Sequence, residues 1–355
     1  MESEDSVVHV SDSVFVGNSH SNGGGAYIEG DEVSTFTNCL FYNNTAIVAS
    51  GAVYGDNLIL DRCIFLNNNL DNVGGVGGKV LVRDSIFSMD RLEACEGSRV
   101  VRSVFGGASI ETVGDSVFKD TLVVGSGGRS NFVCGDSWNP FHACVNLPSE
   151  VILKNMTLVG SYLDGVELGE SCDAAYVRGS ILWDNGGIYG PGNARYSLVQ
   201  GGYPGEGNIS SDPLFAGYPA STGTWSDAYF DEAMFQTELT DETASWEPGE
   251  LAGLFVMVSP GSRTAAPIAD NTETTIWAWG NTMAYTEPGN PYEIVDVHLQ
   301  PGSPAIDAGY GLGASALDIE GNPRYDDPAA TNAYDCGTDT DCVGYVDMGA
   351  YERQE

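Results

Sequence analysis

Apolar and polar positions alternate in short runs along the first two hundred residues, and one run keeps returning. It reads "VHVSDSVFVGN", "TFTNCLFYNN", "LILDRCIFLNN", "VLVRDSIFSMD", "RVVRSVFGG" and "VGDSVFKD", with shared anchors at Phe15, Phe41, Phe65, Phe87, Phe105 and Phe118. Leu158, Leu182 and Val199 take the same place in "LKNMTLVG", "VRGSILWDN" and "RYSLVQGG". Each unit is apolar-x-apolar, two polar residues, then a small residue, one position and the anchor. That pattern predicts two short period-two strands joined by a bend, with Gly-rich returns such as "NGGGAY" and "ASGAVYG".

A unit this small cannot bury its own apolar face, whereas stacked units can. The pattern therefore predicts an all-β chain: a right-handed parallel β-helix whose rungs lie about 4.8 Å apart, so that some nine rungs make a rod of roughly 43 Å. A column of anchor rings at one inner corner would contribute roughly 1.5 to 3 kcal/mol per ring. Asn18, Asn44, Asn68 and Asn185 each follow an anchor by three residues. They are expected to take a left-handed bend and to hydrogen-bond from rung to rung, as a ladder and not as a ligand site.

Composition narrows the partners. Fifty acidic residues against fourteen Lys and Arg give a net charge of −36, which repels nucleic acid and anionic membranes and favours divalent cations. Forty-six glycines and a charged fraction of 18% suit many turns and few long helices. Eight cysteines point to an oxidising, extracellular or cell-surface setting. No apolar run is long enough to span a membrane. The acidic start "MESEDSVVHV" leads to the reading of the chain as a mature portion or a fragment of a longer exported protein, and as a monomer.

The anchors, together with "SDPLF" at 211–215, "SPAIDAG" at 303–309, "DIEGNPR" at 318–324 and "DMGAYE" at 347–352, resemble a known family. It is that of the right-handed parallel β-helix proteins ending in a choice-of-anchor Q type domain, with coils similar to polymorphic outer-membrane-protein repeats. The resemblance implies a secreted or surface-displayed rod. It divides the chain into β-helix coils over 1–215, an insertion over 216–298, and a C-terminal segment over 299–355 that caps the last rung. The insertion carries Trp225, Trp246, Trp277 and Trp279 with alternating runs such as "LAGLFVMVS". It is expected to form a small antiparallel β module with those rings as its core, in preference to a platform for sugars.

Candidate chemistry lies on an outer stripe. Asp61, Arg83, Lys154 and Arg178 hold one position of the repeat, and Arg62, Asp84, Arg102 and Asn155 the next. Asp61 beside Arg83 and Arg62 beside Asp84 on adjacent rungs would pair opposite charges without catalysis. The function read from the sequence is thus a non-enzymatic adhesion or binding rod for polysaccharide or another cell-surface ligand. The alternative is a polysaccharide lyase or glycosidase that would use Asp61, Arg62, Arg83, Asp84 and Arg178. No other catalytic motif and no cofactor site is found. Cys39 and Cys63 are expected to stack inward on adjacent rungs, as small apolar fillers in preference to a bond, and Cys134 and Cys144 to staple a loop. Cys95 and Cys172 have no evident partner. Cys336 and Cys342 would close a tight loop from which Asp335, Asp339 and Asp341 project as a candidate calcium site.

Overall fold

A computed structural model of the chain describes residues 1–4, 6–68, 75–112, 114–126, 130–134, 149–161, 163–168, 172–190 and 192–354. The described residues wind through three parallel sheets of nine strands each. Sheet A runs from Glu2–Glu4 to Ile188–Tyr189, sheet B from His9–Ser11 to Gly192–Arg195, and sheet C from Val14–Val16 to Leu198–Val199. Every coil visits A, B and C in that order, so each strand pairs with its counterpart one coil away. This is a parallel β-helix, as the repeat predicts.

Period-two alternation sends one set of side chains into a core that runs the length of the rod. Phe15, Phe41, Phe65, Phe87 and Phe105 occupy the same register of sheet C. Their rings stack with centroids 4.4 to 5.1 Å apart. Phe118 does not continue the column. It sits in sheet B opposite Val100, and Val123 follows Phe105, succeeded by Leu158, Leu182 and Val199. "SVFKD" looks like the anchor run because it also places Phe two residues after Ser, but that Ser begins the sheet B strand.

The bend between sheets B and C is a single residue with positive φ: Asp12, Asn38, Arg62, Asp84, Arg102, Asp120, Asn155, Gly179 and Tyr196 from coil to coil. A second left-handed residue follows each of the first eight sheet C strands, as at Gly17, Asn43 and Asn67. The left-handed bend therefore falls one position before the predicted ladder asparagines. Their hydrogen bonding is as expected: Asn18 donates to Asn44 Oδ1 (2.8 Å), Asn44 to Asn68 Oδ1 (2.9 Å), and Asn68 to Asp90 Oδ2 (2.7 Å). Asp90 ends the column, and Asn185 stands apart, donating to the Leu158 carbonyl.

The antiparallel module is a seven-stranded sheet D from Phe215–Thr224 to Pro291–Leu299. It lies along the outer face of sheet C. Phe255, Met257, Ala265, Val295 and Val297 pack on Leu122, Val124, Val159 and Ile181, while the alternate residues Val256 and Val258 face a second cluster with Trp225, Trp246 and Tyr292. Two of the four tryptophans are thus core, with Trp225 stacked on Tyr292 at 3.9 Å, while Trp277 and Trp279 are half-buried. Close approach needs Gly106 and Gly107: a Cβ there would meet Pro267 Cδ and the Ala265 carbonyl at 2.6 Å each.

The C-terminal segment differs from the sequence expectation in its position. Gly349 donates to the Gly179 carbonyl, and Ala350 to Thr157 Oγ1. Both partners lie on the side of the rod, at the turn from sheet B to sheet C. At the last rung, Ile209 exchanges backbone hydrogen bonds with Ser197 and Val199, so the strand edge of Leu198–Val199 is paired by residues just downstream. "SPAIDAG" and "DMGAYE" brace the flank.

The disulfides also differ. Cys134 joins Cys172, not Cys144, linking sheets A and B, and Cys95 is itself disulfide-bonded. Cys144 lies outside the described residues. Cys336 and Cys342 are joined as expected, and Cys39 and Cys63 are free thiols in the core.

Candidate functional site

In the strand Ser149–Lys154, Val151 and Leu153 enter the core, so Ile152 and Lys154 must point outwards. Register then builds a column. Lys119 pairs with Lys154, Lys154 with Arg178, and Arg178 with Arg195, four cations at one position of four adjacent coils. Like charges directly opposite on neighbouring strands are destabilising. Among the described residues, Arg195 meets Glu206 at 3.5 Å, while Lys119, Lys154 and Arg178 form no ion pair.

The C-terminal segment roofs this column. Lys154 donates to the Leu312 carbonyl, Lys119 donates to the Gly313 carbonyl at 3.4 Å, and the Lys154 ammonium lies 5.5 Å from the centre of the Tyr310 ring. Arg178 stacks at 5.3 Å on Tyr176 and 5.9 Å on Tyr310. Between roof and sheet runs a groove of about 630 Å³. Arg99, Lys119, Lys154 and Arg178 line it with Tyr176 and Tyr310, over a floor of Val101, Val117 and Ile152. Among the described residues, no carboxylate lines it. In a chain of net charge −36, four of the fourteen basic residues meet here.

Electrostatics follow from that crowding. Burial, then the neighbouring Lys119 charge, pulls the Lys154 ammonium down to about 8. Burial, then Arg195, holds Arg178 below its usual range. The nearest acids act on Lys154 without pairing with it: Asp120 is held by Arg324 at 2.9 Å, and exposed Asp341 stands beside Gly313, both partly offsetting the downward pull on the Lys154 ammonium. A cation column in which Lys119, Lys154 and Arg178 form no direct ion pair among the described residues, under an aromatic roof, suits an anionic chain with flat faces.

Of the residues singled out in the sequence, Arg178 and Lys154 fall in this groove. Asp61, Arg62, Arg83 and Asp84 lie further along the stripe and pair among themselves and with Arg102. Arg83 meets Asp61 at 2.7 Å, as expected. Arg62 turns to Asp61 at 3.1 Å and not to Asp84, because Arg102 takes both Asp84 oxygens at 2.8 and 2.9 Å. "SVFKD" mimics the sheet C anchor run, which conceals that Lys119 shares the sheet B position of Asp61; its counterpart there is "LILDR". Tyr310 carries no sequence signal, since the roof depends on how the C-terminal segment docks.

Asp335, Asp339 and Asp341 are exposed in the Cys336–Cys342 loop and do not converge. Asp335 accepts from the Gly337 amide and Asp339 from the Asp341 amide, which are local turn bonds. The carboxylates that do converge, among the described residues, are Asp307, Asp347 and Glu352. No helix of the described residues is long and apolar enough to cross a membrane. Neither the protein-family models nor the curated proteins contain a match to this chain.

Proposed function

We propose that this β-helix is a non-enzymatic binder of acidic polysaccharide, displayed outside the cell, with the sugar chain lying in the groove beneath Tyr310. The observation that carries the reading is the column Lys119, Lys154, Arg178. Its cations repeat at the rung spacing of about 4.8 Å, comparable with the length of one hexose ring, so a polymer with one carboxylate per sugar would meet one cation per residue. Tyr176 and Tyr310 supply faces for the rings. The disulfides accord with an extracellular setting. The family resemblance to choice-of-anchor Q rods adds display at a surface.

One observation favours a second reading. A lysine pulled to about 8 beside Arg178 fits general-base removal of the proton α to a uronate carboxylate, as in a polysaccharide lyase. Among the described residues, no carboxylate lines the groove to hold calcium for that reaction. Affinity electrophoresis in gels containing polygalacturonate or a neutral glucan, followed by absorbance of the eluted sugar, separates these readings. Retardation by polygalacturonate alone, without new unsaturated ends, supports the binder. Unsaturated ends would replace it with the lyase, and equal mobility in both gels would remove both.

A further inference from the structure

Beneath the C-terminal segment lies a second centre, opposite in sign to the groove. Asp120, Asp307, Asp318, Asp327, Asp347 and Glu352 are all buried there, and the basic groups among them are Arg324 and Arg353. Arg324 bridges Asp120 and Glu352 at 2.9 and 2.8 Å, and Arg353 meets Asp327 at 2.6 Å. Asp318 is satisfied locally by the amides of Glu320, Asn322 and Glu352. Fully ionised, six carboxylates against two guanidiniums leave four negative charges out of water, which is costly without a counter-ion.

Three of these groups converge. One oxygen each of Asp307, Asp347 and Glu352 lies within 4.8 Å of the others, about twice a calcium–oxygen bond of roughly 2.4 Å. The backbone fixes their directions. Asp347 accepts from the amides of Asp307 and Arg353, and Glu352 from those of Tyr325 and Asp347. Asp307 supplies an independent sign. Its Oδ2 accepts from the Asp327 amide, but its Oδ1, wholly shielded from solvent, has no hydrogen-bond partner among the described residues. A buried carboxylate oxygen left unpaired is rare and calls for a ligand.

We infer that Asp307, Asp347 and Glu352 form a binding site for one divalent cation of the calcium class, which clasps the "SPAIDAG" and "DMGAYE" stretches of the C-terminal segment to each other. The cation would use the unpaired Asp307 oxygen and offset the excess buried charge. The inference does not depend on what the groove binds. It moves the calcium site from the exposed disulfide loop to the buried motif aspartates of "SPAIDAG" and "DMGAYE". Oxygen-only ligation and a spread of up to 4.8 Å favour calcium over the smaller, stricter octahedron of magnesium.

The test uses the full chain after chelation, titrated calorimetrically with calcium chloride and then scanned thermally with calcium or with EDTA. The expected result is one calcium per chain and a higher melting temperature with calcium. Asp307→Asn should bind at least tenfold more weakly. It should also melt higher than the wild type in EDTA, because one unpaired buried charge is gone. Asp339→Asn should behave as wild type. No heat and no melting shift at up to about 10 mM calcium, above the range of extracellular calcium modules, would overturn the site. So would calcium binding lost in Asp339→Asn and kept in Asp307→Asn. If Asp307→Asn fails to fold, the wild-type titration alone decides.

Discussion

The Lys154 ammonium and the Tyr310 ring, separated by 156 positions in sequence, face each other at 5.5 Å across the mouth of the groove. Lys154 is 6% exposed, yet it is not inside the β-helix. It points outwards and is covered by a segment that folds back from the far end of the chain. That cover removes water from a cation that forms no direct ion pair among the described residues.

Ligand binding should therefore depend on pH in a defined direction. Lys154 loses its charge as pH rises through about 8, well below an ordinary lysine. An anion would hold the proton on, so affinity for oligogalacturonate should fall by up to about tenfold per pH unit above 8. Titrations at pH 7 and pH 9 measure this. Lys154→Arg, which stays charged, should flatten the profile, and an unchanged slope would take Lys154 out of the site.

The aromatic column sets the rod's stability. Phe87 is fully buried between Phe65 and Phe105, with centroids at 4.6 and 4.4 Å. Phe87→Ala should cost about 3 to 5 kcal/mol in denaturant unfolding. A loss below about 1 kcal/mol would mean that the column does not support the coil as described.

Asp90 ends the asparagine ladder in full burial, and desolvation raises its carboxyl to about 7. The sign follows from linkage. A carboxyl raised on folding binds more protons in the native state, so between about 4 and 7 its contribution to stability falls as pH rises. Asp90→Asn should flatten that slope between pH 5 and pH 8 relative to wild type. Parallel slopes for the two proteins would show that Asp90 titrates normally.

The cysteines divide by position. Cys134–Cys172 closes a loop across a sequence separation of 38, worth about 4 kcal/mol in the chain-entropy model. Replacing both by Ala should lower the unfolding free energy by an amount of that order. The free thiols Cys39 and Cys63 are buried, and the hydrogen bond with Cys39, then burial, hold Cys63 in its neutral form. Neither should react with a thiol reagent until the rod unfolds. Fast labelling of the native protein would contradict the core placement.

Much of the fold was legible because a repeat states its own periodicity. The anchors at Phe15, Phe41, Phe65, Phe87 and Phe105 fix sheet C, and the coils before them fix sheet B. Legibility failed where two strands of one coil look alike. "SVFKD" mimics the anchor run, and that one-sheet error hid Lys119, which turns a stripe of paired charges into an unpaired column. The disulfide partner of Cys134 was equally out of reach, because pairing depends on which sheets lie across the rod from each other. The buried carboxylates were read only as motif residues. Their convergence needs the C-terminal segment to fold onto the flank, a tertiary fact without local pattern.

The groove itself is tested most directly by titrating oligogalacturonate into the wild type and two variants at pH 7 and low salt. Lys154→Met removes the covered cation, and Arg83→Met removes a cation of the same stripe that is already paired with Asp61. The account predicts that Lys154→Met weakens binding about tenfold or more while folding at least as stably, since a desolvated charge is gone. It predicts that Arg83→Met binds as wild type, and that affinity falls with added salt. Equal affinity in all three proteins would contradict the assignment of the site.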